Sequence, residues 1–498
     1  MNDKLSCAEQ ASFVDMIHCY SNAISSPLWD YLVWILIGVG LFFTLSTGLV
    51  QIRLFGRSIK EISGSRQNPN DPHGITSFQA FVTGLASRVG TGNIAGVAIA
   101  ITAGGPGAVF WMWMTALMGM SSAFAESTLA QLYKVRDKET GLFRGGPAYY
   151  ITHGLNQRWL SILFSISLIF CFAFVYNAIQ ANTIVQSIQS ATGMTTAHGV
   201  SEEVWDNYKH GIAATLVILT APIIFGGIKR IARASEAIVP VMALLYIGVA
   251  LFVILTHLSE VPRMFALIFE DAFTFKAAGG GLLGGLVSQA MMLGIKRGLF
   301  SNEAGQGSAP NAAAAADVKH PVSQGLIQML GVFVDTIIVC SATAFIILLA
   351  QSPANPDLSG IQITQASLES HVGSWAQTFL AVVLFMFCFS SIIGNYAYAE
   401  SNIQYLHSNR FVLTVFRMMT LGFVYFGSIE KVAIVWDMGD LTMGIMALIN
   451  LVSIVCLYKI VLLLLKDYTV KVKMGKAEPE FKLSEHPVLK RKIKSDIW

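Results

Sequence analysis

The stretch Thr83-Gly84-Leu85-Ala86-Ser87-Arg88-Val89-Gly90-Thr91-Gly92-Asn93-Ile94-Ala95-Gly96 puts an arginine and a run of glycines into the middle of an apolar segment. A plain lipid-facing helix is not built this way. Glycine in a helix interior costs about 1 kcal/mol relative to alanine, and arginine at the centre of a bilayer costs about 2.5–3.5 kcal/mol on insertion scales. A second stretch has the same character: Gly294-Ile295-Lys296-Arg297-Gly298-Leu299-Phe300-Ser301-Asn302-Glu303-Ala304-Gly305-Gln306-Gly307. Unwinding such helices frees backbone N–H and C=O groups where there is no water, and the half-helix ends carry about half a unit charge. An exposed N-terminal end attracts a carboxylate, whereas freed carbonyls attract Na⁺ or an ammonium group. A zwitterion satisfies both. This reading places a carboxylate on the N–H groups of Gly90, Thr91 and Gly92, lets Thr91 and Asn93 add side-chain oxygens, and puts an amine on carbonyls released around Gly294 and Gly298. Close packing of small residues is the competing explanation of the glycines, and Gly92 and Gly96 have the spacing for it.

Around these two stretches the 498-residue chain is 54% hydrophobic and only 13% charged, with a mean hydropathy of +0.59. A soluble chain carries roughly a quarter charged residues. The composition therefore excludes a soluble enzyme, a disordered chain, a collagen and a disulfide scaffold, and the net charge of +3 gives no reason to expect a nucleic-acid partner. Apolar runs near the roughly 20 residues needed to cross a bilayer predict an all-α integral membrane protein with about eleven transmembrane helices. The fifth, over 212–226, and the tenth, over 411–426, look short. Basic residues are retained in the cytoplasm, and here they alternate. Arg53, Arg57, Lys60 and Arg66, then Lys134 to Arg158, Lys229 to Arg233, Lys319, Arg410 and the tail from Lys466 fall on one side; Lys4, Lys209, Arg263, Lys276 and Lys431 fall on the other. The amino terminus is thus expected outside and the carboxyl terminus inside.

The predicted organisation is an extracytoplasmic segment over 1–28, a leading helix over 29–52, a first repeat over 76–258, a second over 277–465, and a basic cytoplasmic tail over 466–498. Each repeat holds five spans and opens with its broken helix. Five is odd, so the second half enters from the opposite side, as a five-plus-five inverted repeat requires. Residues 1–28 lack a basic n-region, so the leading helix is expected to be retained. Cys7 and Cys19 lie in that segment, where a disulfide and free thiols are both admissible. Glu126, Glu236, Glu303 and Glu400 need partners at membrane depth, and Arg88, Lys296 and Arg297 are the expected ones. No Walker sequence and no clustered His and Asp at membrane depth suggest an ATP-driven pump or an embedded enzyme. A channel or sensor is the alternative class, although no filter loop or charge ring is visible. The sequence points to no particular oligomeric state.

Gly90-Thr91-Gly92-Asn93-Ile94-Ala95-Gly96-Val97, followed by Gly104-Gly105-Pro106-Gly107-Ala108 and Phe110-Trp111-Met112-Trp113, strongly resembles the alanine or glycine:cation symporter family. Arg297-Gly298-Leu299-Phe300-Ser301-Asn302-Glu303-Ala304-Gly305 with Gly307-Ser308-Ala309-Pro310 carries the same likeness, which extends over about residues 29–465. The resemblance implies a symporter of the amino acid-polyamine-organocation superfamily in a bacterial or archaeal inner membrane, taking up small neutral amino acids, alanine or glycine, with Na⁺ as the coupling ion. Some relatives are thought to carry glutamine, and proton coupling is the alternative to Na⁺. It further implies that Gln180 contacts substrate. Asn177 shares a helix face with Gln180 and is a candidate for the same role or for interhelix bonding. In related symporters an adjacent hydroxyl pair completes a Na⁺ site. Here that pair is Ser390 and Ser391, with the carbonyls of Ala86 and Val89; serines bonding their own i−4 carbonyls are the alternative.

Overall fold

The structure is a computed structural model that describes residues 13–63, 74–137, 141–194, 199–273, 287–350, 358, 360–430, 432–476, 478–490, 493 and 497–498. The chain is almost wholly helical. We number the principal helices α1 Phe13–Ser46, α2 Ser77–Arg88, α3 Gly92–Gly104, α4 Ala108–Leu132, α5 Arg158–Thr192, α6 Glu202–Ile224, α7 Gly227–Thr256, α8 Gln289–Asn302, α9 Pro310–Ala315, α10 Pro321–Leu348, α11 Ile361–Val372, α12 Trp375–Leu406, α13 Arg410–Ile429, α14 Val432–Cys456 and α15 Tyr458–Lys473. Eight of them are long and apolar enough to cross a membrane, and α2 with α3 forms a ninth candidate bent by 51°. The protein is a multi-pass membrane protein.

Two boundaries differ from expectation. Helix α1 begins at Phe13 and runs through Pro27, so much of the segment expected to precede the leading helix is already helical. Helix α6 starts at Glu202 because the Ser201 side chain accepts the Val204 N–H and two glutamates fill the first turn. That turn is favourable for acidic residues next to the helix N-terminus, but its polarity hides it from a hydropathy reading. Cys19 is disulfide-bonded, and Cys7 lies outside the described residues.

The core packs α4 against α8 and α10, α5 against α12, and α1 against α14. Gly294 and Gly298 belong to this packing and not to a break. Both lie in the intact helix α8. A Cβ on Gly294 would sit 2.4 Å from the Ala108 carbonyl oxygen, so the absence of a side chain there is what lets α8 approach α4, while one on Gly298 would make ordinary van der Waals contact with the Met112 Cα at 3.4 Å. The expectation that residues 294–298 unwind to present carbonyls is therefore corrected. The second helix breaks later, at Glu303–Ala309, where Glu303, Gly305 and Gly307 take φ values of 58°, 89° and 81°. Of the partners expected for the glutamates, Lys296 and Arg297 are corrected: both serve Asp440 instead. Arg297 makes a bidentate pair with Asp440 at 2.9 Å, and Lys296 joins it at 3.2 Å. Glu400 pairs with Arg417, and Glu236 accepts from Gln79.

Ile75 bridges to Ala316, joining the start of the first broken helix to the end of the second. Lys134 donates to the Ala316 carbonyl at 2.9 Å, and Trp498 at the end of the tail lies against the same ammonium. The tail is held by Asp467, which accepts from His320 at 3.0 Å and His486 at 3.2 Å and pairs with Lys471 at 2.9 Å; Lys471 also reaches Glu485. Burial lowers the pKa of His320, against the pull of Asp467. Burial alone would raise Asp467, but the hydrogen bonds from His320 and Lys471 hold it at about 2. His320 is therefore neutral when docked, with Nε2–H on Asp467 and Nδ1 accepting the Val322 N–H. A folded-state pKa below the unfolded one near 6.5 means that stability is lost as protons are added. Docking should thus weaken between about pH 7.5 and 5.5, and again as Asp467 titrates below about pH 4. Faster trypsin cleavage within the tail at pH 5.5 than at pH 7.5, with the difference reduced in His320→Gln, is the expected result; equal rates in wild type would contradict it.

Candidate substrate and cation site

The first broken helix supplies most of the site. Thr76 caps α2 with a reciprocal bond to Gln79, fixing where the helix starts; the glycines at the other end fix where it stops. The Val89 N–H closes the last turn on Leu85, and Gly92–Gly96 resumes as a π-helical turn. Wide turns of this kind concentrate at functional positions because they leave backbone groups free for other partners. Neither Gly90 nor Gly92 has positive φ. Their lack of a side chain matters for space: a Cβ on Gly90 would meet Ser391 Oγ at 2.3 Å and Gln180 Oε1 at 2.8 Å, and one on Gly92 would meet the Phe300 ring at 2.9 Å and the Ser301 Cα at 3.1 Å.

Gln180 reaches this break from α5. Its Oε1 accepts both the Thr91 N–H at 3.0 Å and the Thr91 hydroxyl at 2.8 Å. The Gly90 N–H donates to Asn93 Oδ1 at 2.9 Å. Two of the backbone donors expected to meet a carboxylate are thus occupied by side chains in this conformation, which is how a chain satisfies buried polar groups when nothing else is there. Asn177 lies one turn away and is spent elsewhere: it donates to Ala173 O and accepts from Asn395 at 3.1 Å, tying α5 to α12.

Ser391 and Ser390 part company. Ser391 Oγ donates toward the Ala86 carbonyl at 2.9 Å and the Val89 carbonyl at 3.3 Å, so one hydroxyl and two carbonyls of the break meet at one point. It also contacts its own Phe387 carbonyl. Ser390 bonds Phe387 O and faces Met242 on α7, away from the break. Its place in the expected Na⁺ ligand set is corrected: successive residues on a helix point about 100° apart, and only one of the two can face α2. Oxygen is the ligand type hard cations take, and Ala86, Val89 and Ser391 supply it.

The second break binds a different partner. The Gly305 and Gly307 N–H groups donate to Glu126 of α4, whose carboxylate also accepts from Asn450 of α14 at 2.7 Å. Glu303 joins the two breaks, with Ser87 at 2.6 Å on one oxygen and Ser308 at 2.6 Å on the other. Beside Gly92, Tyr176, Phe300 and Trp436 lie in series as tilted ring pairs with centroids 4.6 and 4.9 Å apart, and Arg297 lies 4.6 Å from the Trp436 ring centroid. A cavity of about 500 Å³ lies elsewhere, among Arg144, Asn311, Glu400, Ser401 and Arg417, and contains none of the residues expected to bind substrate.

Asp335 and Asp440 are the residues a sequence reading passes over. Asp335 is fully buried on α10 in a π-helical stretch, Phe333–Cys340. Its carboxylate lies 2.6 Å from Asn93 Nδ2, 2.9 Å from Ser301 Oγ and 2.8 Å from Thr336 Oγ1. The available signal was its isolation: a carboxylate in an apolar span is costly enough to mark a site by itself.

Residues 14–483 match the sodium:alanine symporter family. The chain is 53% identical to an uncharacterized transporter of Haemophilus influenzae over 95% of both chains. It is also 49% identical to the amino-acid carrier protein AlsT of Bacillus subtilis over 96% of this chain and 97% of that one. A third relative from the same organism, the probable sodium/glutamine symporter GlnT, is 47% identical over 91% of both. Matched along nearly its whole length, with specific relatives at about half identity, the chain belongs to the sodium:alanine symporter family, whose members are transporters and not enzymes.

Proposed function

We propose that this protein imports a small neutral amino acid, alanine or glycine, together with Na⁺ by alternating access. It would do so in a bacterial or archaeal inner membrane, with its amino terminus outside, its carboxyl terminus inside, eleven crossings and a five-plus-five inverted core. The observation that carries the reading is the meeting of Ser391 Oγ with the Ala86 and Val89 carbonyls at a helix break, two residues before the Thr91 donors held by Gln180. A cation at those oxygens and a carboxylate displacing Gln180 from Thr91 would each stabilise the same break, so each ligand would favour the other's binding. Crowding of Gly90 and Gly92 by Ser391, Gln180 and Phe300 favours a small side chain. The likeness to GlnT keeps glutamine as the second reading.

Inward movement of each positive charge gains about 2.3 kcal/mol per 100 mV of membrane potential. In proteoliposomes, uptake of labelled alanine should therefore rise with an interior-negative potential and collapse when Na⁺ is replaced by choline at fixed pH. Undiminished uptake in choline would refute Na⁺ coupling. Glutamine taken up in preference to alanine and glycine would favour the second reading.

A further inference from the structure

We propose that the carboxyl-terminal tail is a strap that holds the inner ends of the two broken helices together and so restrains opening on the side assigned to the cytoplasm. The inference rests on the alternating-access reading above, in which opening at one membrane face requires elements on that face to part. The two broken helices are joined there by the bridge of Ile75 to Ala316. The Ile75 N–H donates to the Ala315 carbonyl at 3.3 Å, and the Asp317 N–H donates to the Ile75 carbonyl at 3.1 Å. Two such bonds make a weak latch, because each exchanges for a bond to water when it opens. What backs them is the stretch 316–320, which leads out of the second broken helix into α10 and lies against the tail.

Phe481 is the anchor. Its N–H donates to the Lys319 carbonyl at 2.9 Å, and its buried ring lies among those of His320, His486 and Trp498, with centroids 5.5, 5.1 and 5.8 Å away. Glu478 pairs with the Lys319 ammonium at 2.5 Å, and Asp467 of α15 holds His320. Leu483, Leu489 and Ile493 are buried as well, so the tail is packed onto the bundle and not merely tethered to it. Trp498 reaches the bridge itself. Lys134, just past α4, donates to the Ala316 carbonyl, and its ammonium lies 4.9 Å from the Trp498 ring centroid and 4.1 Å from that of Phe143. Rings that cover a buried ammonium attract it and shield its hydrogen bond from water, which strengthens that bond. The bridge is thus gripped twice, through the chain at Lys319 and through Lys134 at Ala316, and each grip uses an aromatic side chain of the tail. At its other end the strap continues into α15, which packs on α4 and α10. Parting the inner ends therefore means drawing residues 316–320 away from Phe481.

The test is hydrogen–deuterium exchange of the full chain in lipid nanodiscs, because exchange at the bridge amides reads their opening equilibrium. Phe481→Ala leaves the spans intact and removes the anchor. It should speed exchange in segments 74–80 and 312–320 about tenfold and leave segment 380–400 of α12 as in wild type. Trp498→Ala, which uncovers Lys134 alone, should speed the same two segments about threefold. Wild-type exchange of 74–80 and 312–320 in Phe481→Ala overturns the strap, even where the tail itself exchanges faster. Should Phe481→Ala loosen α12 equally, the change is global and Trp498→Ala decides: unchanged exchange of the two segments in that variant overturns the proposal. Na⁺-independent uptake in wild type would instead overturn the symport reading, and it leaves these exchange rates untouched, so the two failures are distinct.

Discussion

Gly90→Ala is expected to reduce alanine uptake about a hundredfold while the protein still folds, because the added methyl displaces site residues and not the scaffold. Its Cβ would lie 2.3 Å from Ser391 Oγ and 2.8 Å from Gln180 Oε1, both of them side-chain ends that rotate away at modest cost. The backbone at Gly90 is not in the left-handed region, so alanine adds no conformational strain there. What is lost is geometry: Ser391 leaves the Ala86 and Val89 carbonyls, and Gln180 leaves Thr91. Misplacement of binding groups by about 1 Å is enough for a hundredfold loss. Gly92→Ala should behave differently. Its Cβ meets the Phe300 ring and the Ser301 Cα, which is backbone, so melting temperature and uptake should fall together. Uptake per folded transporter, measured beside melting temperature in detergent, separates the two. Wild-type uptake by Gly90→Ala would remove the glycine from the site.

The two breaks were not equally legible. The first is announced by Arg88 and the glycines after it, since no lipid-facing helix tolerates that combination. The second was placed too early because Gly294 and Gly298 look like hinge residues. The intact helix through both, and the close approach of Gly294 to Ala108 of α4, show that no hinge lies there. The actual turn begins at Glu303, a residue type that rarely takes positive φ and is held by Ser87 and Ser308. Its bond to Ser87 joins residues far apart in sequence, and nothing local records it. Asp335 is missed for the same reason: Asn93 arrives from a different helix, and its own neighbours in sequence are mostly apolar. Composition and periodicity recover what is repeated along the chain, such as spans and charge alternation. A site made where several helices cross depends on rotations that periodicity does not specify.

The serine pair shows how such a rotation becomes a measurable difference. A sequence offers Ser390 and Ser391 as equivalent hydroxyls, but α12 turns one toward α2 and the other toward Met242. Ser391→Ala removes the one side-chain oxygen that, among the described residues, meets both the Ala86 and Val89 carbonyls. Contacts of this charge-assisted kind are worth about 1.5–3 kcal/mol. The Na⁺ concentration for half-maximal uptake should accordingly rise by about one to two orders of magnitude, with the preference among alanine, glycine and glutamine nearly unchanged, because the ion alone loses a ligand directly. Ser390→Ala loses a bond to its own helix and should shift the Na⁺ requirement by less than about threefold, since back-bonding serines contribute little to a helix. Titrating uptake against Na⁺ for both variants at saturating alanine decides the matter. Equal shifts would mean that α12 presents both hydroxyls to the ion during transport. A larger shift in Ser390→Ala would place the ion on the Met242 side of the helix and detach it from the break.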